Sequence, residues 1–486
     1  MDKFKYYNYL GFHNPYYVLE NNKFVINDDQ RTLLNSINKP TLDSAALLQV
    51  LSNGFPFGDR TLIKQIKKTP WMAKPNGNYN EWQFFDVPKH DELIVDEIEI
   101  SNKFYSLLEA ELLSYIACHQ HIGILLTGGM DSRIVAAVLN NVIKEQKVTG
   151  KSVTAMTWGM ESSRDVVYAK RISKLFGWEW KHLVVDVDQM KENIDLCIES
   201  GCEFTPIHLH AMSQVTKEIN LNCVIAGSFG DSIGRGEYSG TKVKDLNPLH
   251  ESLSNFGGLL KKDLFISAEK DVHVDIDFYH EKFPAEKLYQ QVEQDLQLHY
   301  MRRMLNSCMN VINRTVPLYQ MFSSPEVFGY IWSLSPDVRT DLIYRCLLED
   351  FCPQLLEIPW ARTGLRYPEN VGSPDQFKKQ HHSYGKMIRE SFLPNIEDNL
   401  KKNRDITEKL FNFKSVMSLI KNCKNYPING SYVYEEKLLY ISTVLTFIET
   451  NNIFIDERET REDWRNAFKN DLLYKMKYFY KKYRPA

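Results

Sequence analysis

Between Ile122 and Asn141 an apolar run breaks at a glycine pair and restarts as an amphipathic segment, and this stretch restricts the fold of the 486-residue chain more than any other. Ile122-Gly-Ile-Leu-Leu126 has the pattern of a short strand buried on both faces. Thr127-Gly128-Gly129 follows as a tight turn, where glycine admits positive φ and the close approach of a ligand. Asp131 or Ser132 is placed to cap the next helix, Ser132–Ile143, whose apolar face is Ile134, Val135, Val138, Leu139 and Val142. A glycine-rich turn between a buried strand and a helix aims backbone N–H groups at an anion. No lysine follows the glycines, which argues against a Walker-type P-loop.

The same alternation continues downstream. Val153–Thr157 reads as a strand, and Val166–Phe176 as a helix stopped by Gly177. His182–Val185 reads as a strand, Met190–Glu199 and His208–Ile219 as helices, and Cys223–Ala226 as a fourth strand. Strands alternating with helices predict an α/β fold with a doubly wound parallel sheet that binds ligands at the carboxyl ends of its strands. Residues 1–100 read as a small β-rich domain, with a strand at Lys23–Ile26, a helix near Thr41–Leu51 and a hairpin turn at Pro75-Asn-Gly-Asn78. Beyond about residue 240 the alternation stops and the chain reads as mostly helical, with helices at Ala285–Met304, Glu326–Leu334, Lys386–Phe392, Lys437–Glu449 and Asp463–Tyr483. The expected division is 1–100, 101–400 and a helical extension 401–486.

Bulk chemistry closes off several classes. A net charge of −3 gives no global basic field for nucleic acid. No run of eighteen apolar residues predicts a membrane span, and the first residues lack the apolar core of a signal peptide. The eight cysteines are dispersed and form no Cys-x-x-Cys pair, as expected of buried thiols in a reducing, cytoplasmic setting. His119-x-His121, His208-x-His210 and His381-His382 have no carboxylate or cysteine partners at zinc-site spacing. The tail from Tyr474 to Arg484 is basic and aromatic, and it reads as a packed amphipathic helix more readily than as an anion-binding surface.

Thr127-Gly128-Gly129-Met130-Asp131-Ser132 closely resembles the Ser-Gly-Gly-x-Asp-Ser loop of ATP pyrophosphatases, which holds the pyrophosphate part of ATP. Further motifs narrow the resemblance to asparagine synthetases. Cys223-Val-Ile-Ala-Gly-Ser-Phe-Gly-Asp-Ser-Ile-Gly-Arg-Gly-Glu-Tyr238 resembles that family's Ser-Gly-Glu-Gly-x-Asp-Glu…Gly-Gly-Tyr loop. Gly227, Asp231 and Gly236 are kept, whereas Ser228 and Ser232 stand where the family has Glu. Asn313-Arg-Thr-Val-Pro-Leu318, a helix, and then Ile-Pro-Trp-Ala-Arg362 resemble the family's Arg-Val-Pro-Phe-Leu-Asp, helix and Arg-x-Lys segment. Gln320 follows the proline where the family has Asp, and Arg362 falls where it has Lys. The family's glutaminase domain begins with a catalytic Cys; here position 2 is Asp2, and no Cys precedes Cys118. The resemblance spans roughly residues 40–370, with a truncated glutaminase-like segment in front.

The resemblance implies that ATP and Mg²⁺ convert a carboxylic acid into its adenylate, releasing pyrophosphate, and that ammonia or an amine then attacks. It assigns ATP to Thr127, Gly128, Gly129, Asp131, Ser132, Thr157, Trp158 and Gly227, metal to Asp131 and Asp231, and pyrophosphate charge to Arg362. It assigns the general base to Glu199, with Glu203 as the alternative. The acid would be aspartate, a larger small molecule or a peptide. The nitrogen would come from free ammonia, a separate glutaminase or a substrate amine. No nucleic-acid or membrane partner is expected, and a homodimer is compatible with the sequence. Two alternatives remain open. One is a specialised cyclase or sugar-acid amidating enzyme that uses the same adenylation. The other is a catalytically inactive homologue acting as a binding or scaffold subunit, towards which the absent Cys and the lost Glu residues point.

Overall fold

The computed structural model describes residues 14–145, 149–218, 220–233, 240–367, 373–428, 430–456 and 464–483. Asp2 and the stretch 234–239, with Gly236 of the second glycine-rich loop, lie outside the described residues. Strands β1 (Tyr16–Glu20), β2 (Lys23–Asn27) and β3 (Lys67–Lys68) form a small antiparallel sheet in the order β2-β1-β3. Strands β4 (Ala73–Pro75) and β5 (Trp82–Phe84) form a separate hairpin. Between these sheets lies helix α1 (Ser44–Asn53). Asp43 begins it, its carboxylate accepting from the N–H groups of Ala45 and Ala46, and Gly54 ends it with φ +94°.

The central sheet has five parallel strands: β6 (His121–Leu125), β7 (Ser152–Trp158), β8 (Glu179–Leu183), β9 (Cys223–Ala226) and β10 (Leu318–Gln320). Their order is β10-β9-β6-β7-β8, so the chain steps outward from β6 on one side, then returns to pair β9 against β6 on the other. Alternate residues enter different cores. Ile122, Ile124, Leu126, Cys223 and Ile225 face one, and Leu125, Met156, Val224 and Ala226 the other. Both faces are therefore covered, as unbroken apolar runs predict. Helix α2 (Glu97–Ile116) packs on the first of these cores through Ile100, Phe104, Leu108 and Leu112.

The N-terminal segment packs into both cores, with Leu47, Phe57 and Ile63 in one and Trp71 and Met72 in the other. A polar lock reinforces this. Leu288–Asp295 runs into a π-helix, Leu296–Leu305, which widens the turn and sets His299, Arg302 and Arg303 against residues 58–60. His299 Nδ1 accepts from the Gly58 N–H at 2.9 Å. Arg302 donates to Asp59 at 2.9 Å, and Arg303 to Glu203 at 2.8 Å and to the Arg60 carbonyl at 2.6 Å.

The four expected central strands are present, parallel and adjacent. Three local expectations change. The helix after the glycine pair starts at Met130, with Gly129 as its cap residue and no side-chain cap bond, so Asp131 and Ser132 sit inside the first turn. The helix expected over 208–219 is instead a 3₁₀ turn, Pro206–Leu209, and a short helix, Met212–Val215. His210 breaks it with φ +44°, held by its Nδ1 hydrogen bond to the Tyr384 hydroxyl at 2.7 Å. Strand β10 was not expected: only three residues long, it becomes a strand by pairing with β9.

Candidate active site

In an open parallel sheet, the crevice for a ligand opens where strand order reverses, outside the carboxyl ends of the strands. Here that point lies between β6 and β9. The loop after β6 is Thr127–Ser132 and the loop after β9 is Gly227–Asp231, so the topology alone sets both motifs side by side. Glycine makes the contact close enough to matter. A Cβ on Gly230 would stand 2.5 Å from Asp131 Cβ and 2.6 Å from its Oδ1; one on Gly227 would stand 3.0 Å from the Asp131 carbonyl group. Asp231 therefore follows directly after a residue that touches Asp131.

The first loop is held from within. Thr127 Oγ1 accepts from the Gly129 N–H at 3.1 Å, and Ser132 Oγ accepts from the Thr127 N–H at 3.2 Å. It is also held from outside, by helix α3 (Met130–Lys144). The Arg133 guanidinium of α3 is fully buried and donates only to carbonyls: Leu355 at 2.9 Å, Ile358 at 2.7 Å, Pro359 at 2.9 Å and Gly128 at 3.3 Å. Burial pulls its pKa down to about 10. The fork thus clamps residues 355–359 onto the loop. The next residues complete the clamp, because the Ala361 N–H donates to the Gly128 carbonyl at 3.1 Å and a Cβ on Gly128 would stand 2.8 Å from Ala361. Arg362 is exposed beside this contact, its guanidinium 5.5 Å from the Trp360 ring.

A carboxylate that the sequence reading missed also touches the loop. Asp165, in the first turn of helix α4 (Arg164–Phe176), accepts from the Gly128 N–H at 3.1 Å. Burial raises its pKa, opposed by His381 and by that N–H. Its only signal in the sequence is an acidic residue directly before the expected helix Val166–Phe176. A second missed feature is the segment 377–382, which runs beside residues 159–164. The Lys378 N–H donates to the Ser162 carbonyl at 3.1 Å, and the His381 carbonyl accepts from the Met160 N–H at 2.7 Å. Gly159, at φ +125°, allows this approach, since a Cβ there would stand 2.8 Å from the His381 oxygen.

The remaining expected residues divide. Thr157 is buried, its hydroxyl donating to the Leu126 carbonyl at 2.7 Å, so it ties β7 to β6. Trp158 is half-buried, its ring 5.8 Å from His210 and 22° from parallel. His210 itself is held far below its ordinary pKa by burial, then by His381, His208 and His382. Glu199 is not brought to the loops. Helix α5 (Val187–Glu199) leaves the carboxyl end of β8 and carries the chain about 20 Å back. There Glu199 pairs with Arg31 at 3.5 Å and with Arg314 at 3.4 Å, four residues before β10 begins. It lines a cavity of about 410 Å³ on that side, together with Lys68 and Asn310. Glu203 is buried against Arg303 in the polar lock. Among the described residues no three His, Cys, Asp or Glu side chains form a metal-holding group. Asp231 follows directly on Gly230, which packs against Asp131, and one or two carboxylates are what Mg²⁺ takes when it arrives with substrate phosphates.

Residues 105–313 match the asparagine synthase family. The matched region contains both glycine-rich loops and four of the five central strands. Over 83 residues the chain is 32% identical to the asparagine synthetase [glutamine-hydrolyzing] of Gallus gallus, a stretch that spans 17% of this chain and 15% of that protein. The solved U34-tRNA thiolase NcsA from Methanococcus maripaludis, with its [4Fe-4S] cluster, is similar over 48% of this chain and 87% of its own, at 14% identity and a TM-score of 0.22.

Proposed function

We propose that the protein is an ATP-dependent, amide-forming ligase that activates a carboxylic acid as its adenylate and passes it to ammonia or an amine. The observation that carries this reading is the packing of Gly227 and Gly230 against Asp131, which joins two phosphate-loop motifs at the switch point of a parallel sheet. The match to the asparagine synthase family supports it. A carboxylate has no good leaving group; transfer of the AMP moiety supplies one and releases pyrophosphate. In this reading the N–H groups at the start of α3 bind phosphate oxygens, with the helix dipole behind them. Asp131 and Asp231 would hold Mg²⁺ there, and the ion would supply positive charge to the triphosphate. Arg362 and the exposed Lys378–Lys379 pair stand on the segments bordering the loops and add positive charge to that task. Trp158 borders the nucleotide. Glu199 takes no part in proton transfer in this arrangement, and Asp165 is the carboxylate from outside the two loops that accepts from the phosphate loop, at the Gly128 N–H.

ATP–pyrophosphate exchange across a panel of acids, beginning with aspartate and extending to larger acids and peptides, tests the proposal. Exchange that depends on one acid and on Mg²⁺ is the expected result. Binding of Mg·ATP with no acid-stimulated exchange on any member would favour the scaffold reading, and failure to bind Mg·ATP would refute both the ligase and its nucleotide site.

A further inference from the structure

The last described helix carries an exposed apolar face. Helix α6 (Phe413–Asn425) receives one side of helix α7 (Trp464–Tyr483). On that side Tyr474 is buried, its hydroxyl donating to the Tyr426 carbonyl at 3.1 Å. Asp471 accepts there from Ser418 at 3.1 Å, Asn422 at 2.8 Å and Lys475 at 2.6 Å. The opposite side carries Phe468, Leu472 and Met476 at helical spacing, with Leu473 beside them. All four are exposed, Phe468 by 70% and Met476 by 59%. Phe479 lies nearer the packed seam, its ring centre 6.2 Å from that of Tyr426. An apolar stripe of this kind on one helix marks an interaction site. Lys469, Lys481 and Lys482 are exposed along the same helix, and Lys477 is exposed with its ammonium 5.0 Å from the Tyr434 ring centre. Asp471 is the one acid of the helix, and it is turned to the packed side.

We propose that this face of α7 docks on an anionic lipid surface, with the helix lying flat at headgroup level and the lysines reaching the phosphates. Charge and geometry choose this occupant. A second copy of α7 laid along the stripe would bring lysine rows together with no acid to answer them. A protein groove encloses more of a helix than α7 leaves uncovered, because its Tyr474 side is already packed. A lipid surface needs only one face, apolar at its centre and basic at its edges. No helix among the described residues is long and apolar enough to cross a membrane, so the contact is peripheral. One side of the helix is packed, as the sequence predicts, through Tyr474 and Asp471. This inference is independent of the ligase reading.

Flotation of the full chain with vesicles tests it, using phosphatidylcholine alone and phosphatidylcholine mixed with phosphatidylglycerol. The chain should float only with the anionic vesicles. Raising the salt from 0.1 to 1 M shortens the screening length from about 10 Å to about 3 Å and should weaken binding. The double variant Leu472→Glu/Met476→Glu should abolish flotation. Lys481→Ala/Lys482→Ala should lower affinity about 25-fold, at about fivefold per lysine. Circular dichroism should match the native chain in both variants, since the altered side chains are exposed. Any of three results would overturn the proposal: no flotation with anionic vesicles, flotation that survives the Leu472/Met476 change, or a light-scattering dimer that this change dissolves. The last would assign the face to a second copy.

Discussion

Replacing Gly230 with alanine isolates the contact on which the active-site reading stands. The residue lies in the helical turn Gly230–Ile233 and is not among the glycines with positive φ, so alanine brings no backbone strain. Its cost is steric. The new Cβ would meet Asp131 Cβ at 2.5 Å, and ordinary contact begins at 3.4 Å, so about 0.9 Å of displacement is required. Asp131 has little room to retreat, because its backbone already lies so close to Gly227 that a Cβ there would stand 3.0 Å from it. Its carboxylate must therefore swing out of place. Overpacking of this size costs about 1–3 kcal/mol of stability, and a misplacement near 1 Å costs about 100-fold in rate where geometry is catalytic. Equilibrium binding of Mg·ATP, followed by pyrophosphate exchange on whichever acid is turned over, measures the effect. Two control variants bracket it. Gly77→Ala has nothing within 4 Å and should be silent, whereas Gly123→Ala meets the Met156, Leu221 and Val224 side chains in the core and should lower stability alone. Native Mg·ATP affinity and exchange in Gly230→Ala would refute the idea that the two loops form one site.

Asp131→Asn should keep the fold and lose Mg·ATP binding by at least tenfold, measured by calorimetry; native affinity would remove Asp131 from the metal site. Arg133→Lys leaves buried carbonyls at 355–359 unanswered and should cost about 3 kcal/mol in denaturant unfolding, at about 1–3 kcal/mol per orphaned group; an unchanged midpoint would show that the clamp is not needed. Lys68, buried with its ammonium 3.3 Å from the Tyr16 ring centre, is lowered to a pKa of about 7 in the fold from 10.5 unfolded, chiefly by burial. The unfolded chain therefore holds the extra proton between pH 7 and 10.5, and this group's share of stability rises with pH across that window and is lost as pH falls through it. Lys68→Met should gain stability relative to the native chain at pH 7, and the difference should shrink towards pH 10.5; a difference independent of pH would mean Lys68 titrates normally.

The sheet and its first loop were legible because their signals are local. Ile122–Leu126 is apolar in every position that either core requires, and two glycines in sequence have few other uses between a strand and a helix. What escaped is information held by partners distant in sequence. Asp165 acquires its place from Gly128, 37 residues earlier. The break at His210 is fixed by Tyr384, 174 residues later. The surroundings of Glu199 escaped for a different reason: motif order says that it precedes the Asp loop, whereas the direction of α5 brings it to Arg31 and Arg314. Arg133 carries no signal of its role in the sequence. Only the fold reveals the ring of carbonyls that takes it in.

The departures from the asparagine synthetase pattern acquire a meaning in three dimensions that they lack in sequence. Ser228 and Gln320 stand where that pattern has two acids, 92 residues apart, and they touch. The Ser228 N–H donates to Gln320 Oε1 at 3.3 Å, and both side chains reach the Met309 sulfur, at 3.2 and 3.3 Å. Gln320 is fully buried at the end of β10, where a lone carboxylate would be costly. A Glu at 228 would offer the same main-chain N–H, so that bond places Gln320, while the serine and glutamine side chains together leave a neutral polar wall around the Met309 sulfur. Decay of an unused site has no reason to make two matched changes around one methionine while keeping the Asp131–Gly230 contact. Adaptation to an acid of different shape or charge does, because a neutral wall beside Asp131 and Asp231 repels an incoming carboxylate less than an acidic one. The substitutions therefore weigh towards a ligase with its own acid substrate and away from an inactive scaffold.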